Sequence, residues 1–378
     1  MDRQRIPRWT SETLARNTVS QFLCVMRARN MILVMLAVVA LFAACRKDPA
    51  VYTGAVGTPY ELNLPAWVHD SIGPMHEGDN PLTVEGVALG RKLFYEKALS
   101  NDGTMSCATC HHQEHAFTDP RAFSVGTDGS VGTRNAMAIV NLGWSRNLFW
   151  DGRRTTLEGQ AHDPVTNPIE MRNTWPVVEQ RLRADDRYPS LFAAAFGSPL
   201  IDSSRVVRAI AQFERTLVSF NSRFDRYWYG GDTTVLDSVE KHGLFLFRGK
   251  GKCGRCHSIG LFTDDAMRNN GLDAFPVDGG LGTVTGAPGD FAKFKTTTLR
   301  NIAVTAPYMH DSRFADLMSV IQFYDGHIQH GSPNVDTVMH LFPETGNILS
   351  WNDRADLIAF LQTLTDEGFL TDPAFSEP

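Results

Sequence analysis

Cysteine and histidine recur twice at one spacing, in Cys107-Ala-Thr-Cys110-His111 and in Cys253-Gly-Arg-Cys256-His257. Two thiols three positions apart can add to the two vinyl groups of one haem, and the histidine that follows then falls beneath the iron. The pattern predicts two covalently bound haem c groups, with His111 and His257 as iron ligands. A single C-x-x-C would also suit a redox dithiol, and two pairs could make a four-cysteine zinc site. Both alternatives are weaker, because His follows each pair and 146 residues separate Cys107 from Cys253. Zinc ligands sit far closer in sequence.

Haem c is attached outside the cytoplasm, and the N-terminal region reads as an export signal. Residues 31–44 (MILVMLAVVALFAA) are 14 apolar residues that follow Arg27 and Arg29 and precede Cys45. The run is shorter than the roughly 20 residues a membrane-spanning helix needs and suits a secretory signal. Ala43-Ala44-Cys45 is similar to a bacterial lipobox, in which the cysteine is lipidated and becomes the mature N-terminus. Phe42 is less usual at its position, so release into the periplasm is the alternative. Met26 is an alternative start, and Cys24 then belongs to no mature protein. The expectation is a signal segment over 1–45, a flexible Gly- and Pro-rich tether over 46–80, and a lipoprotein on the periplasmic side of a membrane.

The formal charge is −6, and the first 45 residues carry six Arg against Asp2 and Glu12, so the remainder stands at −10. Such a surface repels nucleic-acid phosphate. It suits a basic electron-donor protein, or serves solubility alone.

These groups need elements to hold them. Apolar residues recur at helical spacing in Val84–Glu96, Ser204–Phe220, Thr234–Phe247 and Asp353–Leu364, with Thr83 and Ser203 as candidate caps. Few segments alternate with period two, and 271–295 is Gly- and Pro-rich and reads as irregular. The expected fold is mainly α: two tandem cytochrome c-like haem domains with long irregular loops, over 81–228 and 229–378, the C-terminal tail returning to the first domain. No close internal repeat is visible beyond the haem motifs and their sequels, Ala116-Phe-Thr-Asp119 and Leu261-Phe-Thr-Asp264.

From about Asn80 to Leu364 the chain resembles the bacterial di-haem cytochrome c peroxidase family, which includes the methylamine-utilisation oxidase MauG. LGRKLFYEKALSNDGTMSCATCH, RNLFWDGRRTTLEGQAHDPVTNPIEM and FKTTTLRNIAVTAPYMHDSRF carry the resemblance. It implies peroxide chemistry at the first haem, electron entry through the second, and a calcium ion between them. By position, Gln160 and Glu170 match the family's residues above the peroxide-binding iron. A positioned carboxyl can move a proton between the two oxygens of peroxide, and Gln160 can orient the molecule. Pro164 and Pro168 lie between them, so a loop is expected there and not a helix. Trp150 matches a tryptophan that relays electrons between the haems. Asn135, Thr305 and Pro307 match the calcium ligands, the last two through backbone carbonyls.

Three positions depart from the ordinary peroxidase. Tyr324 stands where the sixth ligand of the second haem is usually Met, as in MauG, with Met309, Met318 and Met339 as alternatives. An anionic phenolate lowers the iron's potential. Thr127 stands where many relatives carry a histidine that blocks the peroxide site, so the first haem is expected to be open at rest. His115 and His162 are the alternative blocking ligands. Gly249, Lys250, Gly251 and Lys252 precede the second haem motif, where MauG has a tryptophan used to oxidise a protein partner. The expected function is reduction of hydrogen peroxide with electrons from a small cytochrome c or similar carrier. A MauG-like oxidase and a non-catalytic electron-transfer cytochrome are the rivals, and a homodimer is a further expectation.

Overall fold

The computed structural model describes residues 57–343 and 346–378. Cys45, the signal segment and residues 46–56 of the tether lie outside the described residues. Among the described residues there are twelve α-helices and one short antiparallel pairing, Met267–Arg268 with Phe294–Lys295, so the chain is mainly α.

Two helix pairs organise it. Helix α1 (Val84–Phe94) is capped by Thr83, whose side chain accepts a hydrogen bond from Gly86 N, and it packs on α3 (Ser203–Thr216). They cross at Gly90, where a Cβ would lie 1.9 Å from the Ala209 carbonyl oxygen. Helix α4 (Ser238–Arg248) packs on α6 (Trp351–Gln362) by the same device, since a Cβ on Gly243 would lie 2.0 Å from the Asp356 carbonyl oxygen. Only glycine permits either crossing. The caps of α3, α4 and α6 are Asp202, Asp237 and Ser350. Ser203 is therefore the first residue of its helix and not its cap: the Asp202 carboxylate accepts from Arg205 N and takes that role.

Each helix pair has its own core. Phe94, Phe117 and Phe213 meet edge-to-face in the first, and Phe224, Phe247, Phe262 and Phe360 in the second. The C-terminal segment returns to the first core. Phe369 packs on Phe117 with ring centroids 5.7 Å apart, and Gln113 Nε2 donates to the carbonyls of Phe369 and Asp372 at 3.1 and 2.9 Å.

The halves repeat further than the sequence discloses. Leu148 bridges to Arg154 ahead of α2 (Leu157–Thr166), and Tyr308 bridges to Phe314 ahead of α5 (Leu317–Tyr324). Asn141, Phe149 and Gly152 have positive φ, and so do Asn301, Met309 and Ser312, each 160 positions later. The recurrence lives in backbone geometry and caps, and different side chains satisfy it.

Candidate haem and peroxide site

A cavity of about 720 Å³ is lined by Cys107, Cys110 and His111 of the first motif, and also by Gln160 and Glu170. The imidazole of His111 is held by its Nδ1, 2.6 Å from the Phe117 carbonyl oxygen. In the second motif His257 Nδ1 lies 3.0 Å from the Phe262 carbonyl oxygen. Phe117 and Phe262 both have positive φ, which turns their carbonyls toward the ring. The shared Phe-Thr-Asp sequel is thus the support of the histidine. A carbonyl on Nδ1 fixes the tautomer with a proton there and leaves Nε2 as a lone pair for iron. Burial holds both histidines below their ordinary pKa, and so in the neutral, ligating form.

The expectation of a loop from Gln160 to Glu170 is corrected. Gln160 and Pro164 lie on helix α2, and Glu170 follows in the next turn. Pro164 cannot donate to the Gln160 carbonyl one turn earlier, and the helix ends two residues later at Thr166. The freed groups beyond it are used again: Met171 N donates to Pro164 O at 3.2 Å and Asn173 N to Val165 O at 2.8 Å. Glu170 Oε1 accepts from Asn167 Nδ2 at 2.5 Å. Burial raises the carboxyl above the ordinary glutamate value, and the Asn167 hydrogen bond opposes this only in part.

Thr127 does not line the cavity; its N–H donates to the Glu170 carbonyl at 3.0 Å, which braces the acid's backbone. Neither alternative blocking histidine reaches the cavity. His115 Nδ1 lies 3.1 Å from Val304 O, and the His162 ring packs on Trp175. Among the described residues the lining histidines are His111 and His310.

A second cavity, about 210 Å³, is lined by Cys253, Cys256, His257 and Tyr324. Asn270 Nδ2 lies 3.1 Å from Tyr324 Oη and 3.8 Å from Met309 Sδ, so both candidate ligands meet at one amide. Met339 also lines this cavity, while Met318 does not. Burial pushes the Tyr324 phenol up to about 12, so a nearby positive charge is required to hold it as an anion.

Trp150 lines both cavities. Its Nε1 donates to the Asn135 carbonyl at 2.8 Å, and its ring meets His310 edge-on at 6.3 Å. His310 in turn stacks on Phe294 at 3.9 Å. Asn135, Thr305 and Pro307 line a third cavity, about 510 Å³, together with Trp150. The Asn135 side-chain nitrogen is buried there without a partner. Among the described residues no group of three or more His, Cys, Asp or Glu could hold a metal. Asn135, Thr305 and Pro307 would offer a cation here oxygen donors of the kind calcium takes, and Asp264 and Asp265 line the same cavity.

Residues 84–234 match the family model described as di-haem cytochrome c peroxidase. The methylamine utilization protein MauG of Methylorubrum extorquens is 39% identical over 297 residues, covering 77% of this chain and 81% of that protein. The cytochrome c551 peroxidase of Nitrosomonas europaea is 34% identical over 299 residues, covering 76% of this chain and 82% of its own length. The crystal structure of a MauG-like protein associated with microbial copper homeostasis superposes with a TM-score of 0.76 at 36% identity, covering 84% of this chain and 99% of that one. The chain belongs to the di-haem cytochrome c peroxidase family.

Membership in the di-haem peroxidase family implies two haem c groups, and the residues fit them. Each cavity offers two cysteines and a neutral histidine held through its Nδ1. Arg134, Arg153 and Lys295 bring positive charge to the first cavity, suited to haem carboxylates.

Several site residues escape a reading of the sequence. Asn270, His310 and Lys295 carry no motif. Lys295 is buried, lines all three cavities and pairs with Asp265 at 3.0 Å. Glu214 is the fourth. It falls on the apolar stripe of α3 that holds Val206, Ile210 and Phe213, and an acid on such a stripe is a signal the sequence does offer.

Proposed function

We propose that this protein reduces hydrogen peroxide to water, drawing electrons from an external carrier such as a small cytochrome c. One observation carries this: Gln160 and Glu170 line the same cavity as Cys107, Cys110 and His111. A plain electron carrier has no use for an amide and a buried carboxyl above its iron. When bound, the first haem supplies the redox-active iron at which peroxide is cleaved. The Gln160 amide donates to and orients the peroxide. Glu170 accepts the proton of the inner oxygen and returns it to the outer oxygen, which leaves as water. His111, held by the Phe117 carbonyl, would hold the first haem's iron. Trp150, bordering both cavities, connects the two redox centres. In this reading each core houses one haem as a tandem domain, calcium sits among Asn135, Thr305 and Pro307, and Cys45 anchors the protein on the periplasmic side.

Tyr324 favours a second reading, a MauG-like oxidase. An anionic oxygen ligand at the second haem favours high oxidation states, and stable accumulation of oxidising equivalents with slow oxidation of cytochrome c would mark that activity.

The test is the low-temperature EPR spectrum of the oxidised, haem-loaded protein beside the turnover of Glu170→Gln. One high-spin and one low-spin ferric signal, with peroxide turnover lowered by about 10²- to 10⁴-fold in the variant, is the expected result. The acid limb of kcat/KM lies above the ordinary glutamate value of 4.5, because the raised carboxyl must ionise to accept the proton, and the limb vanishes in the variant. Two low-spin signals and unchanged turnover would remove the reading.

A further inference from the structure

Glu214 is the buried acid that the mechanism above leaves unused. It lies on α3, faces the first cavity together with Cys107, His111 and Gln160, and is 3% exposed. Its Oε2 has no hydrogen-bond partner. The neighbouring cation is not its counter-ion: Arg215 binds Glu158, with Nη1 2.8 Å from Oε1 and Nη2 3.2 Å from Oε2. Glu158 lies on α2, two residues before Gln160, and also accepts from Asn80 Nδ2 at 2.6 Å. Asn80 is followed outward by Asp79 and Arg208, an ion pair whose carboxylate is open to solvent. These polar groups satisfy one another, and Glu214 Oε2 bonds to none of them. An unpaired ionised carboxylate is not held in such a place, and a neutral acid is. Burial raises Glu214 to about 8, with Glu158 adding to the effect and Arg215 opposing it.

Reduction of one peroxide to two waters consumes two electrons and two protons. The O–O bond breaks, the electrons come from the external carrier, and the protons come from solvent. Glu170 only transfers a proton that peroxide already carries, and that proton leaves with the first water. The remaining oxygen needs two protons to depart as the second water. We propose that Glu214 is a second proton-holding residue of the peroxide cavity, delivering one of these protons from the helix side. It is then reprotonated from solvent. This inference rests on the peroxidase reading.

The test uses Glu214→Gln in the full, haem-loaded protein, with Glu214→Asp as a second variant that keeps the acid. The expected result is a first-turnover rate of peroxide cleavage equal to wild type and a kcat lowered at least tenfold. The Asp variant falls between. The infrared band of a buried protonated carboxyl, present in wild type, disappears in the Gln variant. Unchanged kcat, or an infrared spectrum identical to wild type, overturns the proposal. So does a parallel fall of kcat and first-turnover rate in both variants, the mark of a structural role. If wild type consumes no peroxide, the peroxidase reading fails by itself. The infrared comparison still decides whether Glu214 holds a proton in the cavity: loss of the band in the Gln variant supports this, and its persistence overturns it.

Discussion

At the scale of single residues, the chemistry depends on what each buried polar group lacks. Tyr324 Oη accepts from the Asn270 amide at 3.1 Å and lies in a cavity with Cys253, Cys256 and His257. Replacing it by methionine exchanges a candidate anionic ligand for a neutral one. The expected outcome of Tyr324→Met is a rise in the potential of the second haem on the order of 0.1 V, within the roughly 0.8 V that axial ligands span. Spectroelectrochemical titration reads this directly, and an unmoved potential would assign the ligand to Met309 or Met339. The motif cysteines and histidines that line the two cavities stand out in the sequence because C-x-x-C-H is a local pattern whose geometry needs no distant partner. Glu214 does not, because its meaning comes from a cavity assembled by residues about a hundred positions away. Thr127, read as standing where relatives carry a blocking histidine, lies outside the cavity and donates to the Glu170 backbone.

At the scale of elements, a fully buried ion pair ties the second core together. Arg300 is fully buried and donates to both oxygens of Asp225, at 2.8 and 2.9 Å, and to the Gly260 carbonyl at 2.8 and 2.6 Å. It links the helix Arg223–Trp228 to the turn after the second haem motif. Arg300→Leu leaves the Asp225 carboxylate buried and unpaired, a loss of about 3–5 kcal/mol. Urea unfolding followed at the second haem's Soret band measures it, and a shift below about 1 kcal/mol would show that solvent reaches Asp225. The four long helices were readable from their periodicity because each buries one face on a partner. Helix α2 was not, because two prolines outweighed the capping Thr156 that begins it, and Thr156 accepts from Gly159 N at 3.2 Å.

At the scale of the whole molecule, Trp150 joins three cavities. Its ring borders both haem-binding cavities, while its Nε1 binds the Asn135 carbonyl beside the third. Calcium held by Asn135, Thr305 and Pro307 would brace that hydrogen bond. Removing it with EGTA is expected to leave both haems attached through their thioethers but to slow electron exchange between them. Stopped-flow reduction of the peroxide-oxidised protein would show this, and identical rates with no calcium found by elemental analysis would dismiss the ion. The recurrence of backbone geometry at 160 positions has a wider consequence. Pro164 on α2 and Tyr324 on α5 occupy corresponding steps of corresponding helices, each facing its own cavity. One offers no donor atom and the other a phenol. A scaffold drawn twice from the same template thus departs from symmetry at this rung. Division of labour between the halves then asks for a few exchanged side chains on an otherwise shared frame.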